Sequence, residues 1–155
     1  MAALDVIDET FVLAGPAVVA AAFADPADWP RLWPDLELHV FADRGAAGLR
    51  WSVTGRWVGS AEVWCEAVGD GTVVHWFLRL DPAPGPDGGS ARRLLRGARG
   101  PAREALRRQR AAKAIAFDLK ARLEAAPTGT AGWTRRPGVP TPAPADPPVA
   151  PLAPA

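Results

Sequence analysis

Apolar and polar residues alternate along four stretches of the chain, 36–43, 48–54, 58–68 and 73–81, and turn-forming residues separate them. Period-two alternation sends successive side chains to opposite faces of a strand, so the four runs predict an antiparallel meander. An earlier run, Leu4–Leu13, predicts a first strand with Ile7, Phe11 and Leu13 on one face and Glu9 among them. Gly15-Pro16 opens a short helix whose apolar side carries Val19 and Phe23, and Asp25-Pro26 closes it. From about Ser90 the spacing becomes helical. Gly97, Gly100 and Pro101 divide that region, and 101–125 places Ala105, Ala112, Ile115, Ala116, Leu119 and Leu123 on one face, away from Arg103, Arg107 and Arg110.

Turn chemistry sets the strand registers. Asp70-Gly71, taken as a type I′ loop, opposes Cys65 with Trp76, Val63 with Leu78, Glu62 with Arg79 and Glu66 with His75. A three-residue loop at 55–57 opposes Trp51 with Ala61, and a four-residue loop at 44–47 opposes Val40 with Trp51. All three choices agree on one inner apolar face, running from Leu36 to Leu80 through Trp51, Val63, Cys65 and Trp76. The outer face is then crossed by Arg50, Glu62 and Arg79, where opposite charges add a few tenths of a kcal/mol each. It also carries Trp64 opposite Phe77, an apolar patch that is a candidate homodimer contact.

Between the first helix and the meander stands FADPADWPRLWPDLEL, residues 23–38, with Trp29 and Trp33 four apart on one helical face and Pro26, Pro30 and Pro34 bounding short turns. It predicts a wedge at the open end of the sheet. Residues 126–155 have the opposite character: proline at nearly every third place, P-x-x-P spacing at Pro137 and Pro140, and Trp133 and Leu152 as the only large apolar residues. Such a segment buries too little surface to offset its ordering entropy, so the expectation is a disordered Pro/Ala-rich tail.

Charge changes the picture only in its distribution. The chain carries a net charge of +1, but residues 1–91 hold five arginines and thirteen acids, while 92–122 hold eleven basic residues and two acids. The expected partner of the basic helix is the acidic body, not nucleic acid. Cys65 is the only cysteine, which excludes an intrachain disulfide and fits a reducing compartment. With no signal-like start and no apolar run near 18 residues, the expectation is a cytoplasmic chain without a transmembrane segment.

The order of strand, two short helices, meander and long helix resembles the START-like (SRPBCC, helix-grip) superfamily, in its polyketide cyclase/dehydrase and lipid-transport branch. The residues that carry the resemblance are FVLAGPAVVAAAFADPADWPRLWPDL at 11–36, GLRWSVTG at 48–55, EVWCEAVGDGTVVHWFL at 62–78 and AKAIAFDLKARLE at 112–124. It implies an α+β, helix-grip fold over 1–125: a curved antiparallel sheet wrapped around the long C-terminal helix, with two short helices after the first strand. About five to six strands are expected here, against six or seven in the family. It also implies an apolar pocket between sheet and helix.

The expected function is therefore cytosolic binding of a hydrophobic small molecule, lipid-like or polyketide-like. The expected lining is Trp33 at the mouth and Trp51, Val63, Cys65, Trp76, Leu78, Ala112, Ala116 and Leu119 within. Two alternatives belong to other classes, a polyketide cyclase or aromatase and a ligand-free protein-interaction module. Catalysis would need a polar group in the pocket, and Glu9 is the candidate, with Thr10 replacing it if the first strand is flipped. His39, Ser52, Ser60 and Glu37 imitate a hydrolase constellation, but on the outer face, without oxyanion donors or a nucleophile elbow. Two histidines and one cysteine on different faces make no metal site, and neither glycine-rich loop has phosphate-cradling spacing, so no metal or cofactor is expected.

Overall fold

The computed structural model describes residues 1–125, and the tail expected over 126–155 lies outside the described residues. The chain runs β1 (Leu4–Val12), α1 (Pro16–Ala21), a 3-10 turn (Pro26–Asp28), α2 (Trp29–Leu32), β2 (Glu37–Asp43), a second 3-10 turn (Gly45–Ala47), β3 (Gly48–Thr54), β4 (Trp57–Val68), β5 (Gly71–Pro82), α3 (Gly89–Leu94) and α4 (Gly100–Ala125). Five strands form one antiparallel sheet in the order β1-β5-β4-β3-β2. The chain's first strand, β1, joins the meander beside β5, which leaves β1 and β2 as the two edges. Helix α4 lies across β1, where Lys113 Nζ reaches Asp8 Oδ1 at 2.9 Å and Lys120 Nζ donates to the Phe11 carbonyl at 3.1 Å.

The β3–β4 register is the expected one, with Trp51 opposite Ala61 and Arg50 opposite Glu62. In β2–β3, Val40 faces Trp51 as expected, and a bulge between Val40 and Ala42 then shifts the pairing. The β4–β5 register differs from the expected one by two residues: Cys65 faces Val74, Val63 faces Trp76 and Ala61 faces Leu78. The cause is the turn, which uses Gly69-Asp70 in place of Asp70-Gly71, with Gly69 at φ +59° supplying the left-handed residue. A slip of two preserves every side chain's face, so the inner set survives while its partners change. Glu62 now stands opposite Phe77, and Arg79 pairs instead with Asp5 at 3.4 Å.

Strand β1 turns the other way from the expectation. Leu4, Val6 and Val12 are buried, whereas Ile7, Phe11, Leu13 and Glu9 face outwards. Both faces of this edge strand carry apolar residues, so alternation alone is degenerate. The structure breaks the tie by giving the inward Asp8 and Thr10 a partner on α4, Lys113.

Trp57, expected in a loop, begins β4 and is fully buried. Gly59 lets β4 approach β5 closely, because a β carbon there would run into the Arg79 carbonyl. The core joins Leu4, Val6 and Val12 of β1, Val19 and Phe23 around α1, Leu32 and Trp33 at α2, and the inner faces of β3, β4 and β5.

Candidate functional site

The concave side of the sheet is closed by aromatic rings. Trp51 on β3 and Trp76 on β5 stand as walls, and Trp33, which follows α2, sits between them, with ring centroids 5.1 Å from Trp51 and 4.9 Å from Trp76. Trp29 meets Trp51 edge-on at 5.6 Å, and Phe23 meets Trp76 edge-on at 5.7 Å. The wedge is held by its own capping: Asp25 accepts from the Ala27 N–H, and Trp29 Nε1 donates to the Phe23 carbonyl at 2.9 Å. Trp33 is 5% exposed, so it fills the space it was expected to frame. Offset and edge-to-face rings add about 0.5–1.5 kcal/mol per pair beyond their burial.

A cavity of about 70 Å³ remains between α2, β5 and α4. Of the expected lining, Trp33, Trp76, Leu78 and Ala112 border it; Trp51, Val63, Cys65, Ala116 and Leu119 are buried but do not reach it. Ligand pockets usually measure about 300–1,000 Å³, so this space accepts a small group and not a whole lipid. Burial pushes the Cys65 thiol up to about 11, against a small opposing pull from Arg44, and leaves it a small apolar side chain.

The cavity's other end is ionic, and the sequence reading missed it. Asp35, directly after Pro34, meets Arg108 Nη2 at 2.6 Å, Arg56 at 3.1 Å and Arg107 at 3.6 Å. Glu104 holds Arg107 at 2.5 Å, and the Arg108 guanidinium lies over the Trp57 ring at 5.0 Å. Burial raises the Asp35 carboxyl, but the charge and hydrogen bond of Arg108, then the charges of Arg107 and Arg56, outweigh it and hold the group below its ordinary range. Glu104 is likewise raised by burial and drawn below its usual value by the Arg107 hydrogen bond and both arginine charges. A usable signal was present. The buried stripe of α4, followed backwards in steps of four from Ala116 and Ala112, passes through Arg108 and Glu104, an i,i+4 pair of opposite charge.

Glu9, the candidate acid or base, stands on the outer face and not in the space between sheet and helix. Its Oε1 lies 3.0 Å from His75 Nδ1, while Glu66 Oε2 lies 2.8 Å from His75 Nε2. Thr10 faces inwards, but its hydroxyl meets Lys113 at 3.1 Å beside β1 and does not line the cavity. His39 turns to Thr54 Oγ1 at 3.0 Å and Ser52 Oγ donates to the His39 carbonyl, so the hydrolase-like set does not assemble. Among the described residues, no three His, Cys, Asp or Glu side chains are placed to hold a metal, and no helix is long and apolar enough to cross a membrane.

Known structures share this fold. The Aha1 dimer from Colwellia psychrerythraea superimposes with a TM-score of 0.53 at 12% identity, over 79% of this chain and 97% of that one. DR_A0006 from Deinococcus radiodurans gives a TM-score of 0.52 at 14% identity, over 77% of this chain and 98% of that one. The fold is a helix-grip fold. No family model matches the sequence, and no curated protein matches it. At these identities the likeness is one of fold, and function has to be argued from the site.

Proposed function

We propose that this chain is a START-like (SRPBCC) cytoplasmic protein that binds an apolar small molecule, lipid-like or polyketide-like, between its sheet and α4. The observation that carries the reading is the seating of Trp33. Its ring fills the grip between Trp51 and Trp76 but directly follows a four-residue helix, Trp29–Leu32, that contains Pro30 and ends just before Pro34. A plug on so short an element moves more easily than a ring on a sheet strand, because few backbone hydrogen bonds restrain it. The ligand enters beside Trp33 as α2 lifts, and the 70 Å³ cavity is the start of its path.

Catalysis is not part of this reading. A polyketide cyclase or aromatase needs a proton carrier in the cavity; Glu9 stands on the other face, and the lining carboxylate, Asp35, is occupied by three guanidiniums. The test is titration of the full chain with decanoic acid and with 2-naphthoic acid, read by calorimetry and by native mass spectrometry. Saturable binding is expected, and Trp33→Ala, which enlarges the cavity, should bind tighter. Failure of both proteins to bind either compound, by both methods, would overturn the reading.

A second reading concerns the convex face. Ile7, Phe11, Trp64 and Val68 are exposed there, with Glu9 and Glu66 towards β1 and Arg44 and Arg50 towards β3. Trp64 stacks on His75 at 4.4 Å, and Phe77 is the ring beyond it. An exposed apolar ridge whose flanking charges are already paired, Glu62 with Arg44 and Arg50 and Asp5 with Arg79, suits a homodimer through Trp64 and Phe77. One fold neighbour, Aha1, is described as a dimer. Sedimentation of wild type should give a dimer that Trp64→Ser dissociates; a monomer at every concentration would sink this second reading.

A further inference from the structure

The inner face of the sheet is covered unevenly. Helix α4 lies over β1 at one edge, whereas at the other edge Val40 of β2, which stands opposite the fully buried Trp51 on the same face, is 42% exposed. A groove of about 340 Å³ opens there. One wall is α1 and the residues after it, Ala17, Ala21 and Ala24, the other is Val40 and Leu49, and Trp29 also lines it. That volume lies in the range of about 300–1,000 Å³ that occupied pockets have, and its apolar walls are open to water. Asp43 is the one charged residue of the lining, and Asp25 stands between Ala24 and Pro26 on the α1 side. Among the described residues neither carboxylate makes an ion pair; each accepts a local backbone N–H, from Gly45 and from Ala27.

The chain itself carries an occupant of matching chemistry. Past Ala125 come thirty residues in which Trp133 is the one aromatic, Arg135 and Arg136 follow it, and Asp146 is the one acid. Helix α4 delivers this segment to the groove. Glu124 Oε1 accepts the Leu13 N–H at 2.8 Å and Lys120 donates to the Phe11 carbonyl at 3.1 Å, so the last turn of α4 is tied to the strand end that leads into α1. Helix α1 is six residues, about 9 Å, long. Trp133 lies eight residues past Ala125 and can reach about 27 Å, three times that length. A tethered segment meets a nearby surface at an effective concentration on the order of mM, so even a weak contact is filled.

We propose that the segment Trp133–Pro137 of this chain docks in the groove between α1 and β2, its indole ring against Ala21, Trp29 and Val40 and its two guanidiniums on Asp43 and Asp25. An indole brings about 150–250 Å² of surface to be buried, which is the main gain, and the arginines add two exposed ion pairs that fix its direction. The assignment is independent of the small-molecule reading, because the groove lies at the β2 edge and not in the grip between the sheet and α4.

The experiment is NMR on the full chain labelled with 15N. Amide order parameters at 131–137 should exceed about 0.6, and those at 145–155 should fall below it. Trp133→Ala should shift the amide signals of Ala17, Ala21, Ala24 and Val40, leave those of Glu66 and Arg79 on the convex face in place, and lower the order parameters at 131–137 to those of the chain end. Ala21→Glu, at an exposed position of α1, should release the segment equally while keeping Trp133. Arg135→Ser combined with Arg136→Ser should lower the ratio of docked to free segment about two- to fivefold, without touching the folded body. Groove signals that move to their Trp133→Ala positions on about fiftyfold dilution would mean that the groove takes the segment of a second copy, and would overturn docking within one chain. Groove signals unmoved by Trp133→Ala, or order parameters at 131–137 no higher than at 145–155, would overturn docking altogether.

Discussion

The two faces of one sheet are held by different physics. On the concave face Trp51, Val63, Trp76 and Leu80 are dry, and stability comes from apolar area and ring packing. On the convex face the same strands present Arg50, Glu62, Trp64, Glu66, His75 and Arg79, where half-exposed ion pairs contribute about 0–1 kcal/mol each. The concave face therefore carries most of the packing energy, and the convex face carries most of the sheet's charge. The ionic cluster at Asp35 breaks this division, because it places charges inside the grip.

Substitutions that exchange the rules of the two faces test the division. Trp51→Ala removes a ring that is 0% exposed and touches both Trp29 and Trp33, so a loss of about 3–5 kcal/mol is expected in urea unfolding. A loss under about 1 kcal/mol would mean that the concave rings are loosely packed. Trp64→Ser on the convex face should cost clearly less than Trp51→Ala in the same measurement, since Trp64 is 36% exposed where Trp51 is fully buried.

The Asp35 cluster makes a pH-dependent prediction with a definite sign. Asp35 and Glu104 both have folded pKa values below their ordinary 3.8 and 4.5. A depressed folded pKa contributes stability that is present above the unfolded value and lost as pH falls through the folded one. Thermal unfolding of wild type should thus be steady above about pH 5 and fall below about pH 4.5. Asp35→Asn should lower the plateau and flatten this acid limb; an unchanged limb would show that the cluster does not govern acid stability.

The smallest effect concerns Cys65. Buried, with its thiol pushed up to about 11, it should resist iodoacetamide in the native protein and react only on unfolding.

What was legible in the sequence was facing. Period-two alternation assigned Trp51, Val63, Cys65, Trp76 and Leu78 to the inner face, and these assignments withstood a register error, since a slip of two residues moves partners without turning a side chain over. The wedge of Trp29 and Trp33 and the stripe of Ala112, Ala116 and Leu119 were legible for the same reason, a local period that leaves one face apolar.

Tertiary structure decided everything that depends on a neighbour. Strand β1 has two apolar faces, and partners beyond the strand, Lys113 for Asp8 and Thr10 and His75 for Glu9, fix which one turns inwards. Glu104 and Arg108 look solvated in a linear sequence, yet Asp35 and the Trp57 ring draw them inwards. Whether Trp33 plugs the grip or frames it rests on the 4.9 Å and 5.1 Å separations from Trp76 and Trp51, residues 43 and 18 positions away. Periodicity is a property of one segment and survives in the sequence; a cavity is the difference between segments, and exists only once they are packed.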